Sequence, residues 1–285
     1  MKDIPMYDQF IKIEQIHKGW SKDKKYYVET KDDKKLLLRI SDISEYDTKK
    51  YEFELLSQFS KTGINMSRPI AFGTCNSEKE VLPTLSKEKK YAYGWEAGQM
   101  MLKMQTAENY PASSEWAKKY GKQVEKYIKN YEQCGYQLFG EEKFISFLEK
   151  NSSCLDNRPM SLLHADFQSD NMVISPDNKL YAIDFQGSGL VDPYLALGGV
   201  MVTAEVSPLF SSGQLHSYFG GDVPADFWQM NAYYLVSEMI NAFSVAVTMG
   251  QEEIEYSQEM AKITLEWFDN FNHLVPNWYI EDINC

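Results

Sequence analysis

An aspartate, an asparagine and a second aspartate in this chain stand where phosphotransfer chemistry would need them. The stretch Ser161-Leu-Leu-His164-Ala-Asp166-Phe-Gln-Ser-Asp-Asn171-Met-Val-Ile174 sets a polar loop between apolar runs, and Leu180-Tyr-Ala-Ile-Asp184-Phe185 follows after a turn. Phosphoryl transfer needs one carboxylate to orient an attacking hydroxyl and accept its proton. It also needs an amide and a second carboxylate to hold Mg²⁺ against nucleotide phosphates. Asp166, Asn171 and Asp184 supply one group for each task. A plain β-hairpin with polar ends is the competing reading, since Ser175-Pro-Asp-Asn178 is a turn sequence. Against it, the hairpin of Met172-Val-Ile and Leu180-Tyr-Ala-Ile would return Asp184 to the loop that carries Asp166 and Asn171.

The segment resembles the catalytic loop and metal motif of the aminoglycoside phosphotransferase family, small-molecule relatives of the protein kinases. That family reads His-Gly-Asp, four residues, Asn, and later Ile-Asp-Phe or Ile-Asp-Trp; this chain has His164-Ala165-Asp166, Asn171 and Ile183-Asp184-Phe185. The resemblance implies that Asp166 is the catalytic base, that Asn171 and Asp184 ligate the metal, and that His164 braces the loop. It also implies an α+β, two-lobed, protein-kinase-like fold, with a small antiparallel-sheet N-lobe binding nucleotide and a larger helical C-lobe carrying the catalytic loop. The junction is expected near residues 74 to 86, giving lobes of residues 1–82 and 83–285.

The elements that must position these groups follow the same plan. Phe10 to Ile16, Lys25 to Thr30 and Lys35 to Ile40 read as strands, with Lys31-Asp-Asp-Lys34 as a hairpin turn. In a kinase-like lobe the loop Lys18-Gly-Trp-Ser21-Lys-Asp23 would cover the phosphates, offering backbone N–H groups and the Ser21 hydroxyl. The third strand places Arg39 where family members more often have Lys, a permanent cation able to grip phosphate bidentately. Residues 47–61 then read as a helix with Tyr51, Leu55, Leu56 and Phe59 as its apolar stripe. On this helix Glu52 is preferred over Glu54 as the partner of Arg39, at the spacing the family shows. Gly63 to Gly73 resembles the family's next turn and strand.

Four departures from the pattern stand out. Where the family has two more strands and an inter-lobe hinge, Thr74 to Leu85 offers only Val81-Leu82, so the N-lobe reads as shortened at the hinge. Met104-Gln105 replaces a histidine at a helix end, Ala196 replaces the second aspartate after Asp192-Pro193, and Arg39 replaces Lys. They support an alternative reading, a kinase-like protein weakened in catalysis that acts by binding. Because the hinge would choose between nucleotides, the cofactors are ATP or GTP with Mg²⁺.

Beyond the junction the chain reads as helical over Tyr91 to Thr106, Trp116 to Gly135, Glu142 to Asn151, Pro224 to Met249 and Gln251 to Asn272. Among the acidic residues there, Glu205, Glu238, Glu252, Glu253 and Glu255, we single out Glu205 and Glu238 as candidate substrate-binding groups. The 285 residues are 44% hydrophobic, enough to bury one large core or two modest ones. A net charge of −12 disfavours nucleic-acid phosphates and anionic membranes, and favours a small, amine-bearing substrate. With no apolar run of membrane-span length and no signal-peptide core, a cytoplasmic protein is expected. Cys75, Cys134, Cys154 and Cys285 show no metal-ligand spacing and read as reduced structural thiols. The expected activity is transfer of a γ-phosphoryl group to a hydroxyl of a small cationic molecule. Aminoglycosides come first by resemblance, and a choline- or homoserine-type metabolite kinase is the alternative within the same chemistry.

Overall fold

Alternating apolar residues near the N-terminus fold as an antiparallel meander of β1 (Phe10–Ile16), β2 (Lys24–Thr30) and β3 (Lys35–Ile40). The computed structural model describes residues 9–16, 24–40, 46–66, 76–77, 82–107, 109–174, 178–185 and 188–282. The β2–β3 turn closes with Thr30 N–H donating to Lys34 C=O at 2.9 Å, and Asp33 takes a left-handed φ of 58°, which Asp tolerates better than most residues. Helix α1 (Tyr46–Phe59) buries Leu55 and Phe59 with Leu56 half-buried, and ends through a single 3₁₀ turn at Gly63 with φ 76°. Tyr51, expected on the buried stripe, is exposed. The apolar face is therefore narrower than the sequence pattern suggested.

Of the stretch expected to hold the hinge, the described residues are β4 (Asn76–Ser77) and Leu82 onward; residues 74, 75 and 78–81 lie outside the described residues. Leu82 is fully buried and leads into α2 (Lys87–Ala107), followed by β5 (Asn109–Ser113), α3 (Ser114–Gln133) and α4 (Glu141–Asn151). Three short strands carry the site: β6 (Arg158–Leu163), β7 (Met172–Ile174) and β8 (Leu180–Ala182). β4, β7 and β8 form one small sheet, so chain before residue 82 pairs with the catalytic hairpin. β5, β6 and β9 (Gly189–Val191) form another.

The remaining chain is α5 (Pro193–Ala196), α6 (Gly199–Val206), α7 (Pro208–Phe219), α8 (Ala225–Met249) and α9 (Gln251–Trp267). Helices α2 and α7 cross with almost no gap. Gly94 and Gly98 face the Phe210 and Gln214 carbonyls so closely that any side chain at either glycine would displace the α7 backbone. Gln105, standing at the helix end where a histidine was looked for, accepts a hydrogen bond from Tyr218 of α7, and Met104 lies in the core. Helix α9 stops at Trp267, short of the expected Asn272. Asp269, Asn270 and Phe271 all have positive φ and turn the chain so that Phe271 stacks on Phe147 at 4.3 Å.

A buried ion pair fixes β6 against the turn after β9. Asp192 is fully buried and accepts from Arg158 Nε at 2.6 Å, Arg158 Nη2 at 3.3 Å, the Tyr194 N–H at 2.8 Å and the Tyr234 hydroxyl at 2.8 Å. Trp116 Nε1–H donates to the same Tyr234 hydroxyl at 2.8 Å, and the Arg158 guanidinium lies 4.3 Å from the Tyr194 ring centre. The carboxylate thus caps α5, neutralises a cation and anchors two helices. Ala196, in the place where a second aspartate was looked for, is fully buried in the same turn.

Candidate active site

Strand β6 runs through buried Leu162 and Leu163 directly into His164. The imidazole is fully buried, with the Phe185 ring centre 4.6 Å away and that of Phe167 5.6 Å away. Its Nδ1 accepts the Asp166 N–H at 3.2 Å, so the ring proton belongs on Nε2, which donates to the Ile183 carbonyl at 2.9 Å. Burial pushes the ring below its ordinary pKa, which keeps it neutral. A neutral imidazole bonded at both nitrogens ties the catalytic loop to the residue preceding Asp184.

Asn171 clamps Asp166 from the other side. Its Nδ2 donates to the Asp166 carbonyl at 2.8 Å and to Asp166 Oδ2 at 2.7 Å. Burial pushes the Asp166 carboxyl above the usual carboxylate range, opposed by the Asn171 hydrogen bond. Among the described residues Oδ2 alone is engaged, which leaves Oδ1 for an incoming hydroxyl. The Asn171 carbonyl accepts the Ile183 N–H at 2.8 Å, so the hairpin returns Asp184 beside the loop as expected. Helix α6 supports this loop, with the Ser169 N–H donating to Thr203 Oγ1 at 3.0 Å. Gly199 lies so close to the Phe167 carbonyl that a larger residue would push the loop away.

Asp184 has two unusual features. Its φ of 54° is left-handed, and its Oδ1 is buried without a hydrogen bond. The Asn171 side-chain oxygen and the Asp184 carboxylate are hard oxygen donors, the kind Mg²⁺ takes alongside water and phosphate oxygens. Among the described residues no three His, Cys, Asp or Glu side chains gather into a metal cage. The residues present fit Mg²⁺.

Arg39 Nη1 lies 3.9 Å from Asp184 Oδ1, which brings the β3 cation to the metal-side carboxylate. The partnership expected between Arg39 and Glu52 is not what the described residues show. Glu52 pairs instead with Lys49 at 3.5 Å, one turn earlier on its own helix. Ser21 and its loop lie outside the described residues.

Glu205 and Glu238, 33 positions apart in sequence, line one cavity of about 220 Å³ between α6, α8 and α9. Its walls are mostly apolar, including Met201, Met239, Tyr256 and Trp267. Glu205 is exposed and accepts from the Tyr256 hydroxyl at 3.4 Å. Glu238 Oε1 accepts from Tyr120 at 3.2 Å and Tyr127 at 3.3 Å, and burial pushes its carboxyl above the ordinary value. Neither tyrosine was singled out from the sequence, although their spacing of seven places them on one face of α3. The cavity adjoins the catalytic loop. Thr203, which holds Ser169, is on the same helix as Met201 and Glu205; burial first, then Glu205 and to a lesser degree Asp170, push the Tyr256 phenol up to about 12.

His164→Ala should leave the Ile183 carbonyl buried without its donor and loosen Asp184. We expect Mg²⁺-dependent nucleotide affinity to fall about 10–100-fold, measured by calorimetric titration.

The family model described as the phosphotransferase enzyme (APH) family matches residues 12–228. Among solved structures, a choline/ethanolamine kinase family protein from Mesorhizobium loti superposes with a TM-score of 0.61 at 14% identity, covering 95% of this chain and 94% of that one. A choline kinase from Streptococcus pneumoniae gives 0.60 at 17% identity, covering 90% and 94%. A spectinomycin phosphotransferase in complex with ADP and spectinomycin gives 0.59 at 12% identity, covering 88% and 92%. At these identities the likeness shows the fold, which is the two-lobed, kinase-like α+β arrangement. No helix among the described residues is long and apolar enough to cross a membrane.

Proposed function

The chain belongs to the phosphotransferase enzyme (APH) family, whose model spans about three quarters of it, and from that premise we propose an ATP- or GTP-dependent kinase acting on a hydroxyl of a small, amine-bearing molecule. One observation carries this reading most: Asn171 pins the Asp166 carboxyl, and an Asp184 oxygen facing Arg39 is buried without a hydrogen bond on a left-handed backbone. Asp166 orients the acceptor hydroxyl and takes its proton on Oδ1 as the oxygen attacks the γ-phosphorus and the bond from the γ-phosphorus to the β-phosphate oxygen breaks, releasing the nucleoside diphosphate. Asn171 and Asp184 would hold Mg²⁺, which when bound would neutralise phosphate charge. Arg39 supplies a fixed positive charge on the same side, suited to the remaining phosphates. His164 keeps the loop and the Asp184 strand in register without exchanging a proton. Preorganised charge and positioning account for catalysis in this arrangement.

The acceptor is assigned to the cavity that Glu205 and Glu238 line. Two carboxyl groups on otherwise apolar walls suit a cation with a compact body, which favours amino alcohols over polyhydroxylated aminoglycosides. The neighbouring choline kinases act on such a molecule and the spectinomycin enzyme on a larger one. The test is transfer of labelled γ-phosphate from ATP and from GTP to a panel holding choline, ethanolamine, homoserine, spectinomycin and gentamicin. Labelled product from at least one amine is expected. Nucleotide hydrolysis alone, with no acceptor labelled across the panel, would overturn the acceptor class.

A further inference from the structure

Resting on that reading of the cavity, we propose that Glu238 is its specificity-determining residue, the inward carboxyl that pairs with a compact cationic acceptor and yields any proton it holds to solvent as it does so. The two carboxyl groups of the cavity are not equivalent. Glu205 stands at the exposed side, in contact with water. Glu238 is drawn inward by hydroxyls that both reach Oε1, so it is hydrogen-bonded but not neutralised. Among the described residues no Lys, Arg or His pairs with it. Facing it are Tyr120 and Tyr127 of α3, Asn241 less than a turn along α8, and, across the cavity, Glu205 of α6 and Tyr256 of α9. None of these groups carries a positive charge.

Desolvation pushes the half-buried Glu238 carboxyl above its ordinary value, against the hydrogen bonds from Tyr120, Tyr127 and Asn241 that favour its ionised form. A cation entering the cavity supplies the missing charge, so the O–H bond breaks, the proton leaves to buffer and the carboxylate pairs with the ammonium. Selectivity follows from the same exchange. A neutral alcohol of equal shape gains nothing from ionising Glu238, whereas a cation gains a buried counter-ion. The faces of Tyr256 and Trp267 can add attraction for an alkylammonium. Because the cation lowers the pKa of Glu238, linkage requires its affinity to weaken as pH falls through the empty-cavity value.

The experiment is calorimetric titration of the full chain, saturated with Mg²⁺ and a non-hydrolysable ATP analogue, across pH 5 to 7.5. Each pH is run in two buffers of different ionisation enthalpy, with choline and its neutral isostere 3,3-dimethylbutan-1-ol as probes. Choline should release protons over part of this range and bind more tightly as pH rises, while the isostere should bind weakly with no proton release. Glu238→Gln keeps an acceptor for both tyrosines, and should abolish the proton release and weaken choline roughly tenfold at neutral pH. The variant should also unfold at a higher temperature than wild type above the raised pKa, since a carboxyl with an elevated folded-state pKa loses stability as pH rises. Choline binding with no proton release at any pH, or an unchanged choline affinity in Glu238→Gln, would overturn the assignment. A Mg²⁺-linked nucleotide shift without choline binding overturns this inference alone, whereas absence of the nucleotide shift overturns the kinase reading beneath it.

Discussion

Asp166→Asn should cut kcat by about 10²–10⁴ while leaving Mg²⁺-nucleotide affinity close to wild type. The substitution is nearly isosteric, and its amide oxygen can still accept the Asn171 Nδ2 donor that now bonds Asp166 Oδ2 at 2.7 Å. What it removes is a group able to accept the hydroxyl proton. The wild-type pH profile carries the same signature. Desolvation of the carboxyl raises the Asp166 pKa from its ordinary value, against the Asn171 hydrogen bond, and a base works only when unprotonated, so kcat/KM should fall on the acid side through this raised value. Asp166→Asn should show low activity without that limb. Steady-state kinetics with any acceptor labelled in the panel provide the check. A kcat within a few-fold of wild type would remove Asp166 from the base role.

The largest stability effect is expected from Asp192→Ala. It leaves the Arg158 guanidinium, only 12% exposed, without its counter-ion, and strips partners from the Tyr234 hydroxyl and the Tyr194 N–H. Removing one member of a buried pair costs about 3–5 kcal/mol, for a melting temperature lower by on the order of 10 °C. Asp226 approaches Arg158 Nη1 at 4.0 Å but is itself mostly exposed, so it cannot take over the charge. A double variant, Arg158→Met with Asp192→Leu, should recover much of the loss, because two apolar groups leave no unpaired charge. Urea unfolding of the two variants separates the cases. A single variant with wild-type stability would mean that the pair contributes nothing net.

The catalytic loop was legible because its geometry is local. Asp166 and Asn171 lie five residues apart, and Asp184 is returned by a hairpin whose strands and turn are written in adjacent residues. Other parts depend on contacts that sequence spacing does not encode. Arg158 and Asp192 meet across 34 positions, and Tyr120 meets Glu238 across 118. Asn76-Ser77 has no strand character of its own and becomes β4 only through pairing with Val173 and Ile174. Among the described residues Glu52, expected beside Arg39, pairs with Lys49. Lys49 competes for that carboxylate one turn away, and a helix-spaced pair needs no tertiary contact to form. The departures at Gln105 and Ala196, taken from sequence as signs of weakened catalysis, have local physical roles. Gln105 bonds Tyr218 across the α2–α7 crossing, and Ala196 packs in a turn already held by Asp192.

The central claim is that Asn171 and Asp184 hold a metal for a nucleotide presented to Asp166. It is tested most directly by thermal unfolding of wild type and Asp184→Ala with ATP or GTP at millimolar concentration, each with and without Mg²⁺. Nucleotide should raise the wild-type melting temperature more in the presence of Mg²⁺, and Asp184→Ala should fold yet lose that metal-linked increment. A wild-type shift indifferent to Mg²⁺, or an increment that survives in Asp184→Ala, would contradict the account.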